Sequence, residues 1–210
     1  MTGMDDDAKP RKKRAGAYHH GDLRRALIDQ ALRTIDQEGV DGLTLRAVGS
    51  ELGVSRTALY RHFADKQALV AAVAAEGFRT LRLALADTWA RQGHTLAGLE
   101  AMGLAYVEFA RAHQSHYRVM FGRFVESSDP TLLEEAACAF QTLVDALADL
   151  QTQGLARTDD LLLQARFVWS VVHGVAMLII NGQLHRHDQT GEQLTQYAVE
   201  RIQAAVAITR

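Results

Sequence analysis

The chain has 210 residues, of which 48% are hydrophobic and 23% charged, and its formal net charge is -2. That balance allows a small domain joined to a larger one and excludes a largely disordered protein. Its single cysteine, Cys138, excludes an internal disulfide and suits a reducing compartment, and only Pro10 and Pro130 could interrupt helices.

The charge is unevenly spread. Residues 9–66 hold 12 Lys and Arg against 7 Asp and Glu, residues 67–210 hold 11 against 15, and Asp5, Asp6 and Asp7 supply the rest. A basic N-terminal third is what a phosphate-binding surface needs, and equally what a solvated charged face would carry. The N-terminus has no apolar signal core. No purely apolar run, the one at residues 175–180 included, approaches the roughly 18 residues of a membrane span, so the expected location is cytoplasmic.

In chain order, residues 1–17 lack any hydrophobic period and carry Lys9, Arg11, Lys12, Lys13 and Arg14. They are expected to form a basic disordered arm, either following DNA phosphates or only aiding solubility. A first helix, capped by Asp22, places Leu23, Leu27, Ile28, Leu32 and Ile35 on one face and stops at Gly39. Thr44 caps a second helix over 45–52, and Gly53 ends it where a left-handed backbone is wanted. Ser55 caps a third over 56–63, and Asp65 caps a long fourth over 66–91.

Residues 44–66 therefore read as a helix-turn-helix. On its third helix Leu59 and Phe63 belong inside, leaving Arg56, Thr57, Tyr60 and Arg61 outside. Arg and Thr near the start of such a helix can reach base edges, while Tyr60, His62 and Lys66 can donate to phosphate oxygens. Arg46 sits in the first turn of the second helix, where its own helix dipole opposes it and a nearby DNA strand would favour it.

Beyond the head, the fourth helix carries Leu69, Val73, Leu81, Leu85 and Trp89 and ends at Gly93. Thr95 caps a fifth with Leu99, Met102, Tyr106 and Phe109 on one face, and a break around His113 to Ser115 leads to a short helix with Tyr117, Met120, Phe121 and Phe124. Asp129 and Pro130 open the next, which stops before Gly154. Thr158 caps a helix of about 23 residues ending at Asn181 and Gly182, and the last spans 192–208. The expected fold is all-α: a three-helix head joined to a larger helical bundle, about nine helices in all. The expected boundaries are 1–17 for the arm, 18–66 for the head, and 67–210 for a sensing and dimerisation domain.

Cys138 lies among Ala136, Ala137, Ala139 and Phe140 and reads as a small buried core residue. Trp89, Met102, Tyr106, Phe109, Tyr117, Phe121, Trp169, His173 and Met177 are candidates for lining an apolar pocket, with Met120, Phe124 and Phe140 beside them; plain core packing explains the same residues. His173 is one helical step from Trp169, as a pocket group or as a satisfied core or interface histidine. His113, His116, His185 and His187 lack the neighbours a metal would need, so no metal or cofactor is expected. No nucleophile triad order, phosphate loop or nucleotide fingerprint is present, so no enzyme is expected.

The block from Gly39 to Leu69 resembles the DNA-binding domain of TetR/AcrR-family transcriptional regulators. The match runs through Thr44, Leu45, Arg46, Val48, Leu52, Gly53, Val54, Ser55, Leu59, Tyr60, His62, Phe63, Lys66 and Leu69. The resemblance implies DNA contacts at Thr44, Arg46, Ser55, Arg56, Thr57, Tyr60, His62 and Lys66, which Arg61 joins from the same outer face. Where the family commonly has glycine this chain has Thr57, which exchanges close backbone approach for a hydroxyl.

Farther on, Trp169, His173 and Gly174 resemble the C-terminal domain of a TetR subgroup marked by Trp, His and Gly. That subgroup often has a proline after the residue matching His113; Gln114 stands here, leaving the fifth helix free to run on. In the last helix Leu194, Ala198, Ile202, Ala205 and Ile208 recur every three or four residues, as a partner surface or as internal packing. The resemblance implies a homodimer through the last two long helices and a palindromic double-stranded DNA operator. It also implies repression relieved by a small-molecule effector.

Overall fold

The computed structural model describes residues 20–122, 129–184 and 190–208. The arm, Phe124, His185, His187 and the side chain of Asp22 lie outside the described residues. Nine helices account for nearly all that is described: α1 (His20–Gly42), α2 (Leu45–Glu51), α3 (Arg56–His62), α4 (Lys66–Arg91), α5 (Leu96–Ala112), α6 (Gln114–Met120), α7 (Pro130–Thr152), α8 (Leu161–Ile180) and α9 (Gly191–Val206). Among the described residues the one extended pairing is an isolated antiparallel bridge between Ala156 and Ala207.

The helix starts follow cap chemistry. Thr44, Ser55, Asp65, Thr95 and Asp129 each accept a hydrogen bond from the backbone N–H three residues on, satisfying a donor that the first turn leaves unpaired. The stops follow glycine, since Gly53, Gly93 and Gly154 all have positive φ. Gly39, with φ 74°, is non-helical and breaks α1 where the first helix was expected to end.

Several expectations fail for local reasons. Asp160, not Thr158, caps α8, its carboxylate accepting from the N–H of Leu163. Residues 155–157 are held extended against the end of α9: Arg157 donates to Val206 O and Ile208 to Leu155 O, so no helix can start there, and α9 itself ends at Val206. The fifth helix breaks at His113 (φ -124°, ψ 48°), within the expected break, and does not run on despite Gln114 in place of proline, because α6 turns away to pack on α4. Cys138 is exposed on α7, whose inward face is carried by Leu132, Ala139, Val144 and Leu147.

The core is continuous from head to body. Leu27, Ile28, Ala31 and Ile35 of α1 meet Leu45, Val48, Leu59 and Phe63, and α4 carries the core onward through Leu69, Val73, Phe78, Leu81 and Leu85 to α5, α6 and α7. Gly77 lets α6 lie close, since a Cβ there would stand 2.6 Å from Met120 Sδ. Helix α8 is long and apolar enough by length and composition to cross a membrane, yet it packs against α5, α7 and α9 and buries Gln164.

Candidate functional site

In the head, Leu45, Val48 and Gly49 of α2 and Leu59 of α3 are buried, and Val54 N–H donates to Gly49 O at 2.8 Å to fix the turn. That packing orients α3 with Arg56, Thr57, Tyr60 and Arg61 outward, together with Thr44, Arg46 and Ser55; Tyr60 is 46% exposed despite its ring. The Arg56 guanidinium lies over that ring at 5.6 Å from its centre. A cation and a phenol thus share one exposed helix face, a combination suited to phosphate oxygens and base edges.

Three sequence-predicted contacts have internal duties as well. The Thr44 and Ser55 hydroxyl oxygens are spent as acceptors for Ala47 and Ala58, at 3.1 and 3.3 Å, leaving their own protons to donate outward. Lys66 donates from Nζ to Asp41 O at 3.2 Å, tying α4 to the end of α1, a role its spacing did not reveal. His62 is half-buried in the last turn of α3.

The head meets the body through charge. Arg25 of α1 bridges Glu76 of α4 at 2.8 Å, and Arg79 bridges the same carboxylate at 2.7 Å. Burial works to raise Glu76, but the hydrogen bond from Arg79 and the charges of Arg25 and Arg79 outweigh it and hold the carboxyl below its ordinary value. Ser115 of α6 donates to Asp36 of α1. Beside it His116 is pushed below the usual imidazole range by burial and then by His113, with no hydrogen-bond partner for Nε2 among the described residues.

The body holds a cavity of about 200 Å³ that is partly open to solvent. Its wall comes from α4 (Phe78, Leu81, Leu85), α5 (Leu99, Met102, Gly103, Tyr106), Phe121, α7 (Ala136, Ala139, Phe140, Leu143) and α8 (Val168, Trp169, Val172). Of the sequence candidates, Met102, Tyr106, Phe121, Phe140 and Trp169 are in this wall, whereas Trp89, Phe109, Tyr117, Met120, His173 and Met177 are not. Trp89 stacks on His94 with ring centres 5.1 Å apart, and Phe109 tilts against His113 at 4.9 Å. The aliphatic and alanine wall residues were missed because their helical spacing is identical to that of solid core.

Tyr117 and His173 stand behind the wall in a polar chain. Trp169 Nε1 donates to Tyr106 Oη at 3.2 Å, Tyr106 and Tyr117 hydroxyls are 3.1 Å apart, and Tyr117 Oη is 2.7 Å from His173 Nδ1, which Tyr106 Oη also approaches at 3.1 Å. Burial pushes Tyr106 up to about 12, against its hydrogen bonds to Tyr117 and Trp169. Burial, then the neighbouring Tyr106, raises Tyr117 further, and burial lowers His173. All three are neutral near pH 7, and the chain satisfies their polar atoms inside an apolar body. Among the described residues no three His, Cys, Asp or Glu side chains converge as a metal site would require.

An all-helical body with an apolar cavity, carrying a capped helix-turn-helix whose outer face presents Arg46, Arg56, Tyr60 and Arg61, defines a DNA-binding regulator. Residues 27–73 match the family described as "Bacterial regulatory proteins, tetR family", and residues 99–202 match "Tetracyclin repressor-like, C-terminal domain". The chain belongs to the TetR family of transcriptional regulators.

A HTH-type transcriptional regulator of Bacillus subtilis, YobS, is 26% identical over 83% of this chain and 88% of its own length. The class D tetracycline repressor of Escherichia coli is 42% identical over 25% of this chain and 24% of its own length. A protein of unknown function from Rhodococcus sp. RHA1 has a solved structure that aligns with TM-score 0.83 at 31% identity, covering 92% of this chain and all of that one. A solved putative TetR-family regulator from Mesorhizobium loti aligns with TM-score 0.69 at 16% identity, a likeness of fold. Members of the family are DNA-binding regulators, typically ligand-responsive repressors; this chain is a regulator rather than an enzyme.

Proposed function

We propose that this regulator represses transcription as a two-fold dimer on a palindromic operator in the cytoplasm, and that a small molecule entering the body cavity releases it. The observation that carries the reading is the α2–α3 head, which buries Leu45, Val48 and Leu59 and leaves Arg46, Arg56, Thr57, Tyr60 and Arg61 exposed together. Thr44, Arg46, Ser55, Arg56, Thr57, Tyr60, Arg61, His62 and Lys66 contact DNA, Thr57 through its hydroxyl. Residues 18–66 form the reading head, and residues 67–210 form the sensing and dimerising body of a Trp-His-Gly subgroup marked by Trp169, His173 and Gly174.

The dimer forms through α8 and α9. Support comes from a stripe of exposed Leu163, Phe167, Ser170 and Leu178 on α8, with half-buried Gly174 among them, beside exposed Tyr197, Arg201 and Ala204 on α9 and Ile208 just past its end. Within the sequence-predicted α9 stripe, Ala198 and Ile202 are buried in their own subunit, which leaves Ala205 and Ile208 as its exposed members. Ligand entry shifts the populations of two head spacings, and a differential affinity of about 1 to 3 kcal/mol changes occupancy roughly 5- to 150-fold.

The test is binding of the purified protein to DNA upstream of its own gene at moderate salt. Arg46→Ala and Tyr60→Ala should each abolish binding while the dimer persists. Unchanged affinity in both variants would overturn the assigned contacts.

A further inference from the structure

The cavity wall carries no charged side chain. Its hydrogen-bonding side-chain atoms are Tyr106 Oη and Trp169 Nε1, and these are bonded to each other. A buried ion meeting only such a wall would lose its hydration without a counter-charge, a penalty of several kcal/mol, so carboxylates and amines are excluded. Size sets the next bound. An apolar cavity of about 150 Å³ accepts benzene, and the further 50 Å³ or so here admits two or three more non-hydrogen atoms.

The direction of the polar chain decides what the ligand must offer. Trp169 Nε1–H can only donate, so Tyr106 Oη accepts it. Burial keeps His173 neutral, and an imidazole nitrogen is a better acceptor than a phenol oxygen; the 2.7 Å contact therefore has Tyr117 donating to Nδ1, with the ring proton on Nε2. Tyr106 then sends its own proton to Tyr117 Oη and His173 Nδ1, each 3.1 Å away. Each hydroxyl and indole proton in the chain is used. Tyr106 Oη keeps one lone pair, so the polar pole of the wall offers an acceptor and no free donor.

We propose that the cavity takes an uncharged hydrocarbon of one small ring or equivalent bulk, about eight or nine non-hydrogen atoms, bearing a hydroxyl that donates to Tyr106. This rests on the reading of the cavity as the effector site.

The test uses three probes on the full-length protein without DNA, followed by calorimetry and Trp169 fluorescence: 4-ethylphenol, its hydrocarbon isostere 1-ethyl-4-methylbenzene, and 4-methylbenzoate. The phenol should bind about tenfold more tightly than the hydrocarbon, the net worth of one hydrogen bond, and the benzoate should not bind. In Tyr106→Phe the phenol's preference over the hydrocarbon should vanish. Equal binding of phenol and hydrocarbon to the wild type, tighter binding of the benzoate, or no phenol binding overturns the proposal, whether or not Tyr106→Phe folds. Operator binding with 4-ethylphenol separates the two ideas. Tight, hydroxyl-dependent binding without operator release would sink the effector reading alone, and release by a molecule of another class while the phenol fails to bind would sink the ligand class alone.

Discussion

Replacing Phe167 by Glu tests the dimer face most directly. Phe167 is the one aromatic residue of the α8 stripe and is 47% exposed in the protomer. An aromatic side chain offers about 200 Å², so about 95 Å² of it remains to be covered, worth about 2.4 kcal/mol at ~25 cal/mol per Å². Two-fold symmetry brings the residue in twice, for about 5 kcal/mol, before the cost of burying two carboxylates is added. Dimer dissociation should strengthen by a factor of roughly a thousand or more. Sedimentation velocity over a protein concentration series reads this, with circular dichroism confirming that the protomer remains helical. Leu133→Glu is the control, since Leu133 is 49% exposed but sits on α7, away from the stripe. Should Phe167→Glu sediment as the wild-type dimer does, or Leu133→Glu dissociate it equally, the assigned face is wrong.

The polar chain makes a second prediction: at fixed protomer concentration, Tyr106→Phe should lower urea stability by about 1 to 3 kcal/mol, because Trp169 Nε1 loses its acceptor. Tyr117→Phe should cost about 0.5 to 1.5, since His173 Nδ1 keeps Tyr106, and the double variant should fall short of the sum by at least about 0.5; strict additivity would refute the chain. A third concerns pH. His116 and His173 both titrate below their unfolded value of about 6.5, so under that pH the unfolded chain binds protons that the folded one refuses. Their stabilisation is whole above about pH 6.5 and declines as the solution is acidified; His116→Gln should flatten the decline, and an unaltered pH profile would count against a buried neutral imidazole. Finally, deleting residues 1–17 removes Lys9, Arg11, Lys12, Lys13 and Arg14. The slope of log affinity against log salt should fall by up to about 4.5 while operator preference is retained, a result that an inert tail would not give.

The head was almost wholly legible because its signals are local. Thr44, Ser55 and Asp65 are side-chain caps acting three residues away, and Gly39 and Gly53 hold backbone angles that other residues resist. The body was legible in its helices and not in its interior. Whether Leu85 or Val172 faces a neighbour or a void depends on how five segments from distant parts of the chain meet, and periodicity reports only that both face inward. The same limit hid the pairing of Ala156 with Ala207, which displaced the α8 cap from Thr158 to Asp160. Cys138 misled because alanine neighbours suggest burial, while its angle on α7 decided exposure.

Helix α6 has seven residues, and three consecutive ones point to three different bodies. Ser115 reaches Asp36 in the head, His116 lies against Gly77 and near Glu76 on α4, and Tyr117 joins His173 and Tyr106 behind the cavity. Successive residues on a helix are about 100° apart, so one rigid turn serves all three directions. Any roll of that turn large enough to move Tyr117 must move Ser115 by the same angle. On the proposed function, a signal passing from cavity to head would be geared rather than wired, with its play set by how closely Met120 seats on Gly77.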